Sequence, residues 1–193
     1  MNSSRKISFS FDIEKFINVM AYFANKIGRL DKYKAVKLLY LADRHHLIKY
    51  ARPIIGDRYY KAPYGPVPHI ALNIINDSII DDIKTYWTES VKRYIKIDRK
   101  PRHPILMGKK PADLEIFSES ELEILDYVIN KYGNKSFNEL KRLTHKQATW
   151  EKSREGEEID YRLFFEENPE AKNILELAEL EQENRDLVKK LRD

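Results

Sequence analysis

The chain of 193 residues contains no cysteine. Disulfides, thiolate nucleophiles and cysteine-bound metals are excluded, and a cytoplasmic location fits. Only six glycines occur, and no two are close in sequence. A phosphate-cradling P-loop and a dinucleotide fingerprint both need clustered glycines, so neither exists. No apolar run approaches the roughly 20 residues that span a bilayer, so no membrane partner is expected. The first residues, MNSSRKISFSF, lack a long apolar stretch and a small-residue cleavage site, so secretion is not expected either. No G-x-S-x-G nucleophile elbow is present. What remains is 42% hydrophobic and 34% charged, the composition of a chain that folds around one core.

Charge is unevenly placed. The whole chain carries +4, but residues 84–110 carry nine Lys or Arg against Glu89 and Asp98, a net of +7. Residues 155–193 carry thirteen Asp or Glu against six Lys or Arg, a net of −7. A basic middle and an acidic end attract each other or two different partners.

Helix signals dominate. Asp12 can cap a first helix, in which Phe16, Met20, Phe23 and Ile27 share one face before Gly28. Asp31 can cap a second, where apolar residues from Val36 to Leu47 surround the axis; a helix apolar all round is a buried one. Pro53 ends that segment. Gly56-Asp57 reads as a turn before a short strand, and PYGPVP as a stiff loop without regular structure. HIALNIINDSII reads as a third helix, VKRYIKI as a strand, and residues 100–117 as a loop with a further strand at its end. Ser118 with Glu121 and Ser136 with Glu139 are capping boxes for two more helices, the first closed by Gly133. A short helix near 161–166 and a long one from about 169 complete a mainly α fold with a few short β-strands. Residues 1–168 read as the domain and 169–193 as an acidic helical segment.

The stretch from Lys37 to His69 concentrates the unusual residues, with five tyrosines, four prolines and the pair His45-His46. Metal-binding helices place ligands four apart, whereas adjacent histidines point about 100° apart, so no metal or other cofactor is expected. Asp43 lies on the buried stripe and must find donors there. Arg52, His46, Lys37 and the tyrosines after Gly56 are candidates. Asp43 reads first as a polar clamp on the following turn, and second as a general acid or base. Glu139-Leu140-Lys141 spells a nuclease-like E-x-K, but within a helix instead of a strand. No catalytic residue is assigned. Tyr59, Tyr60 and Tyr64, interleaved with Arg52, Arg58 and Lys61, suit stacking on single-stranded nucleic acid and a protein interface equally well.

KLLYLADRHHLIKYARPIIGDRYYKAPYGPVP resembles the signature of the Panacea domain of SocA-like antitoxins, and FSESELEILDYVINKYGNKSFNELKRLTHKQATW is similar to the later helices of that family. The likeness covers about residues 15–165. It implies a compact helical domain without enzymatic activity that neutralises a cognate protein toxin encoded by the adjacent gene, usually by direct binding. Family toxins are chemically diverse and include relatives of alarmone synthetases; one member instead delivers its toxin to a protease. Asp43, Arg52, Gly56, Asp57, Tyr59, Tyr60, Tyr64, Gly65 and Pro66 fall in the family stretch, as internal scaffold first and toxin contacts second. The family often has glycine where this chain has Ala51, which implies a slightly different turn. Some members add a DNA-binding domain, for which there is no room here. The reading from another class is a small nucleic-acid-binding protein using residues 84–110.

Outside the likeness, Leu177, Leu180, Asn184, Leu187 and Leu191 are spaced three, four, three and four. That is a coiled-coil seam of about two heptads with a polar residue at one position. Its cover is the chain's own domain, a twin helix in a homodimer, or the toxin, with contact to another chain favoured.

Overall fold

Asp12 accepts the N–H of Lys15 at 3.0 Å and starts α1 (Ile13–Ile27), which buries Phe16, Met20 and Phe23. Gly28 ends it at a φ of 84°. The computed structural model describes residues 6–78, 84–168 and 171–190. A short strand, β1 (Leu30–Asp31), leads into α2 (Lys32–Tyr50), where Asp31 accepts the N–H groups of Tyr33 and Lys34. Twelve α2 residues are buried, in an unbroken run from Ala35 to Arg44 followed by His46 and Leu47. It is the axle of the fold.

Around α2 lie α3 (His69–Asn76), α5 (Glu119–Tyr132), α6 (Phe137–His145) and α8 (Lys172–Lys190), besides α1. Ser118 and Ser136 open α5 and α6 with complete capping boxes. A one-turn helix, α7 (Ala148–Glu151), and a 3-10 turn at Tyr161–Phe164 cross beside them. Leu38, Leu41, Leu125, Val128 and Phe164 belong to one core cluster.

The strands are short and antiparallel. One sheet has the order β1-β5-β4, with β4 (Ile95–Asp98) and β5 (Ile105–Gly108) paired Ile97 to Leu106. The other pairs β2 (Tyr59–Tyr60) with β3 (Val67–Pro68), Tyr59 opposite Pro68. The architecture is therefore mainly α with a little β.

Four expectations are corrected. VKRYIKI is not one strand: helix α4 (Lys84–Tyr94) runs through its first half, and only residues from Ile95 find a strand partner. The strand after residue 100 lies at Ile105–Gly108, mid-segment, because β1 and β4 flank it there. The proline loop does contain a strand, β3. The N–H that Pro68 lacks is not needed, since His69 donates to the Arg58 carbonyl at 2.8 Å. Helix α3 stops at Asn76, where Asp77 turns left-handed at a φ of 60°; Ile79 and Ile80 lie outside the described residues. The turn after α2 is tight: Ala51 adopts the left-handed conformation that glycine prefers, at a φ of 60°. No helix among the described residues is long and apolar enough to cross a membrane.

Candidate functional site

Asp43 is fully buried on α2. Its Oδ1 accepts the N–H groups of Ile54 at 2.9 Å and Ile55 at 2.8 Å. Its Oδ2 accepts the N–H of Gly56 at 3.2 Å and the hydroxyl of Tyr59 at 2.9 Å. Burial pushes the carboxyl up to about 7, against the pull of the bonds from Ile55, Tyr59 and Ile54. Protonation would set an O–H against donors on every side, so these contacts hold the ionised form. The arrangement folds the 52–56 turn onto α2. Of the side chains expected to serve Asp43, only Tyr59 does so; most of its donors are backbone.

Gly56 is required twice. Its φ is 68°, and a Cβ there would lie 2.7 Å from the Ser10 carbonyl oxygen. Asp57, also buried, then reaches the start of α3. Its carboxylate accepts the N–H of Ile70 at 3.0 Å and of Ala71 at 2.8 Å. The residue before α3 is Pro68, which offers no capping side chain, so Asp57 caps the helix from a distance. Tyr161 donates its hydroxyl to the Asp57 carbonyl at 2.5 Å.

Lys37 serves the other end of the loop. Its Nζ donates to the Pro66 carbonyl at 2.6 Å, and burial lowers its pKa to about 7. Gly65, at a φ of 98°, leaves room for it: a Cβ would stand 2.6 Å from Thr144 Oγ1 and 3.0 Å from Lys37 Nζ. His46 Nδ1 donates to the Arg52 carbonyl at 2.6 Å, while Nε2 meets the Ser120 hydroxyl at 3.1 Å. His45 turns elsewhere, to the Tyr132 hydroxyl at 3.0 Å. Arg52 pairs with Glu121 at 2.6 Å, and Lys15 pairs with the same oxygen at 2.6 Å. Burial pushes the Glu121 carboxyl up, but Lys15, the Ser118 N–H and Arg52 outweigh it and hold the group below its ordinary value. Glu121 was legible in the sequence as a capping residue; its two cations, from α1 and the 52–56 turn, were not.

The tyrosines divide. Tyr59 is buried beside Tyr40 and Phe164. Tyr60 packs on His69, half-buried. Tyr64 is 54% exposed, with its ring against Phe137 and Lys141 Nζ 4.9 Å from its centroid. Hence these three tyrosines do not form a row of exposed rings. His145 stacks on Trp150 at 3.8 Å, and Lys61 lies over the same indole at 4.2 Å. Glu139 is the third residue of helix α6 and caps it, so its E-x-K lies on a helix. Among the described residues, no group of three His, Cys, Asp or Glu side chains is placed to hold a metal ion.

The C-terminal helix docks by a face other than the leucine seam. Ala171, Ala178 and Gln182 are buried, and Ile174 and Leu175 pack on the core. Gln182 Oε1 accepts the Ser8 N–H at 3.0 Å, tying α8 to the N-terminal segment. Leu177, Leu180, Leu187 and Val188 are 51%, 53%, 58% and 48% exposed, and Asn184 is exposed with them. Leu191 lies outside the described residues. The basic segment lies on α4, β4 and β5, beside a cavity of about 380 Å³. A second cavity, of about 310 Å³, opens between α2 and α5 at His45, Glu123 and Tyr127.

These features define a mainly helical domain built around one buried and charged helix, whose polar side chains fasten a proline-stiffened loop. The chain belongs to the SocA-like antitoxins with a Panacea domain: the family model matches residues 36–151, more than half of the chain. The match contains Asp43, Asp57 and Lys37 and the hydrogen-bond partners described for them except Tyr161, which meets Asp57 from outside it. No curated protein and no solved structure matches the chain.

Proposed function

We propose that the chain neutralises a cognate toxin, encoded by the adjacent gene, by direct protein–protein binding and without turnover. The observation that carries this reading is membership of the antitoxin family, combined with how the motif uses its polar groups. Asp43, Asp57, Lys37 and His46 each meet a backbone partner inside the domain, so they shape the loop and are not offered to a substrate. Toxin contacts then fall on side chains left at the surface, with Tyr64 on the stiffened loop as the first candidate: a proline-bound loop loses little entropy on binding.

The domain extends over residues 1–168, and 169–193 serve as an acidic partner-binding segment. Co-expression tests the reading. Growth arrest caused by the neighbouring gene is relieved by this chain, and the two proteins co-purify. Tyr64→Ala weakens the complex while the melting temperature stays unchanged. Rescue with loss of the toxin and no complex would mean delivery to a protease. Rescue with neither complex nor toxin loss, or a neighbour without toxicity, would refute direct neutralisation.

A further inference from the structure

Two surfaces of the molecule combine apolar groups with charge, exposed leucines on one and the buried walls of a cavity on the other, and their charges are opposite. On α8, Leu177, Leu180 and Leu187 lie at the surface, and Glu176, Glu181 and Glu183 flank them. The face of the same helix that carries Ala178 and Gln182 is already buried against the domain, with Ala171 just before it, so α8 is held and its leucine edge points away. On the other surface, the cavity of about 380 Å³ between α3, α4 and β4 has Ile74, Val91 and Ile95 in its wall. Lys92, Lys96, Arg99 and Lys109 also line it, against the single carboxylate of Asp77. Arg99 is spent on the carbonyls of Ile74 and Ile75, and Lys109 on that of Lys92. Lys92 also pairs with Glu89 at 3.1 Å, but both side chains are exposed and such a surface pair is weak, so Lys96, and Lys92 by exchange of that pair, are the cations a visitor meets.

We propose that these surfaces recognise each other between two copies of the chain: α8 of each copy seats its Leu177–Leu180–Leu187 edge in the basic cavity of the other. Leucine side chains enter an aliphatic cavity while the glutamates beside them meet its lysines, which gives both burial and register. A single such contact would leave one helix and one cavity unused and would propagate into an open chain; two-fold exchange uses both and closes. It also doubles the buried area, which one helix edge needs to approach the ~1,600 Å² of a standard interface. Pairing α8 with α8 is the poorer solution. In a parallel coiled coil Glu176 would face Glu181 of the other helix, and about two heptads fall short of a secure zipper.

Sedimentation velocity on the full chain tests this without any toxin, so its outcome is independent of the antitoxin reading. The wild-type chain is a dimer at low ionic strength and dissociates as salt is added. Leu180→Glu with Leu187→Glu, and separately Lys92→Glu with Lys96→Glu, each weaken the dimer by about tenfold or more. All four positions are solvent-exposed, and circular dichroism melts confirm that both variants fold. The decisive step is a charge exchange: the Lys92→Glu, Lys96→Glu chain mixed with a Glu176→Lys, Glu183→Lys chain forms a mixed dimer, although neither dimerises alone. A monomer at every concentration overturns the proposal. So does a dimer that the leucine variants abolish and the lysine variants leave intact, because that is a helix-to-helix contact.

Discussion

The loop clamp around Asp43 and the C-terminal helix invert the usual arrangement in opposite directions. In the first, charged groups are inside: Asp43, Asp57, Lys37 and Glu121 are all buried. In the second, leucines are outside. Buried charge survives only with partners, and each of these groups has them, so the clamp is expensive to disturb from any side. The exposed leucines contribute little to folding and are free to be used by another molecule. The contrast separates a scaffold, where polarity serves the fold, from a surface, where apolarity serves association.

Substitutions test this contrast. The largest effect is expected at Asp43. Asp43→Ala leaves three backbone N–H groups and the Tyr59 hydroxyl without their acceptor, and should cost about 3–5 kcal/mol in a urea titration. Toxin binding should then fall only as far as folding does. A stable Asp43→Ala protein that no longer neutralises would move this residue from scaffold to interface.

Next is Lys37, whose folded pKa of about 7 lies below its ordinary value of 10.5 because of burial. Between those two values the unfolded chain holds the proton and the folded chain does not. Stability therefore rises with pH across that window, by a few kcal/mol, and the cost is fully present below about 7. Denaturant melts across this window should show that slope, and Lys37→Met should flatten it. An equal slope in both proteins would show that another group causes it.

The leucine edge should respond far less. Leu177→Ser with Leu180→Ser, measured at concentrations where the chain is monomeric, should change unfolding free energy by under about 1 kcal/mol in total. A larger loss would mean that these side chains complete the core. The smallest effect is expected at Ala51. Relief of its left-handed backbone, about 1 kcal/mol, opposes loss of a buried methyl, about 0.8 kcal/mol, so Ala51→Gly should shift stability by less than about 1 kcal/mol. A large loss in the melt would mean that the methyl group is needed in the core.

Features with local causes were legible in the sequence. Asp12, Asp31, Ser118 and Ser136 act on N–H groups no more than three residues away, so their caps and the helices they open could be read directly. The buried character of α2 was likewise written in its all-round apolar pattern. The division of VKRYIKI between α4 and β4 was not, because its alternation suits a strand, and pairing with β5 decides where the strand begins. The strand at Val67–Pro68 escaped for the same reason: its ladder partner, Tyr59–Tyr60, is supplied by the fold of the loop.

For the candidate site, residue order was enough to show that Asp43 is buried and in need of donors, that the following loop is stiff, and that the leucines after residue 176 share an edge. Which groups answer those needs follows from long-range packing. The donors to Asp43 are mostly backbone amides, which every non-proline residue carries, so side-chain identity could not single them out. The face of α8 that meets the domain was open for a similar reason, since two stripes of that helix are compatible with burial. The docked one carries small Ala178 and a glutamine that finds the Ser8 N–H, so the helix is fastened there and its leucines are left at the surface.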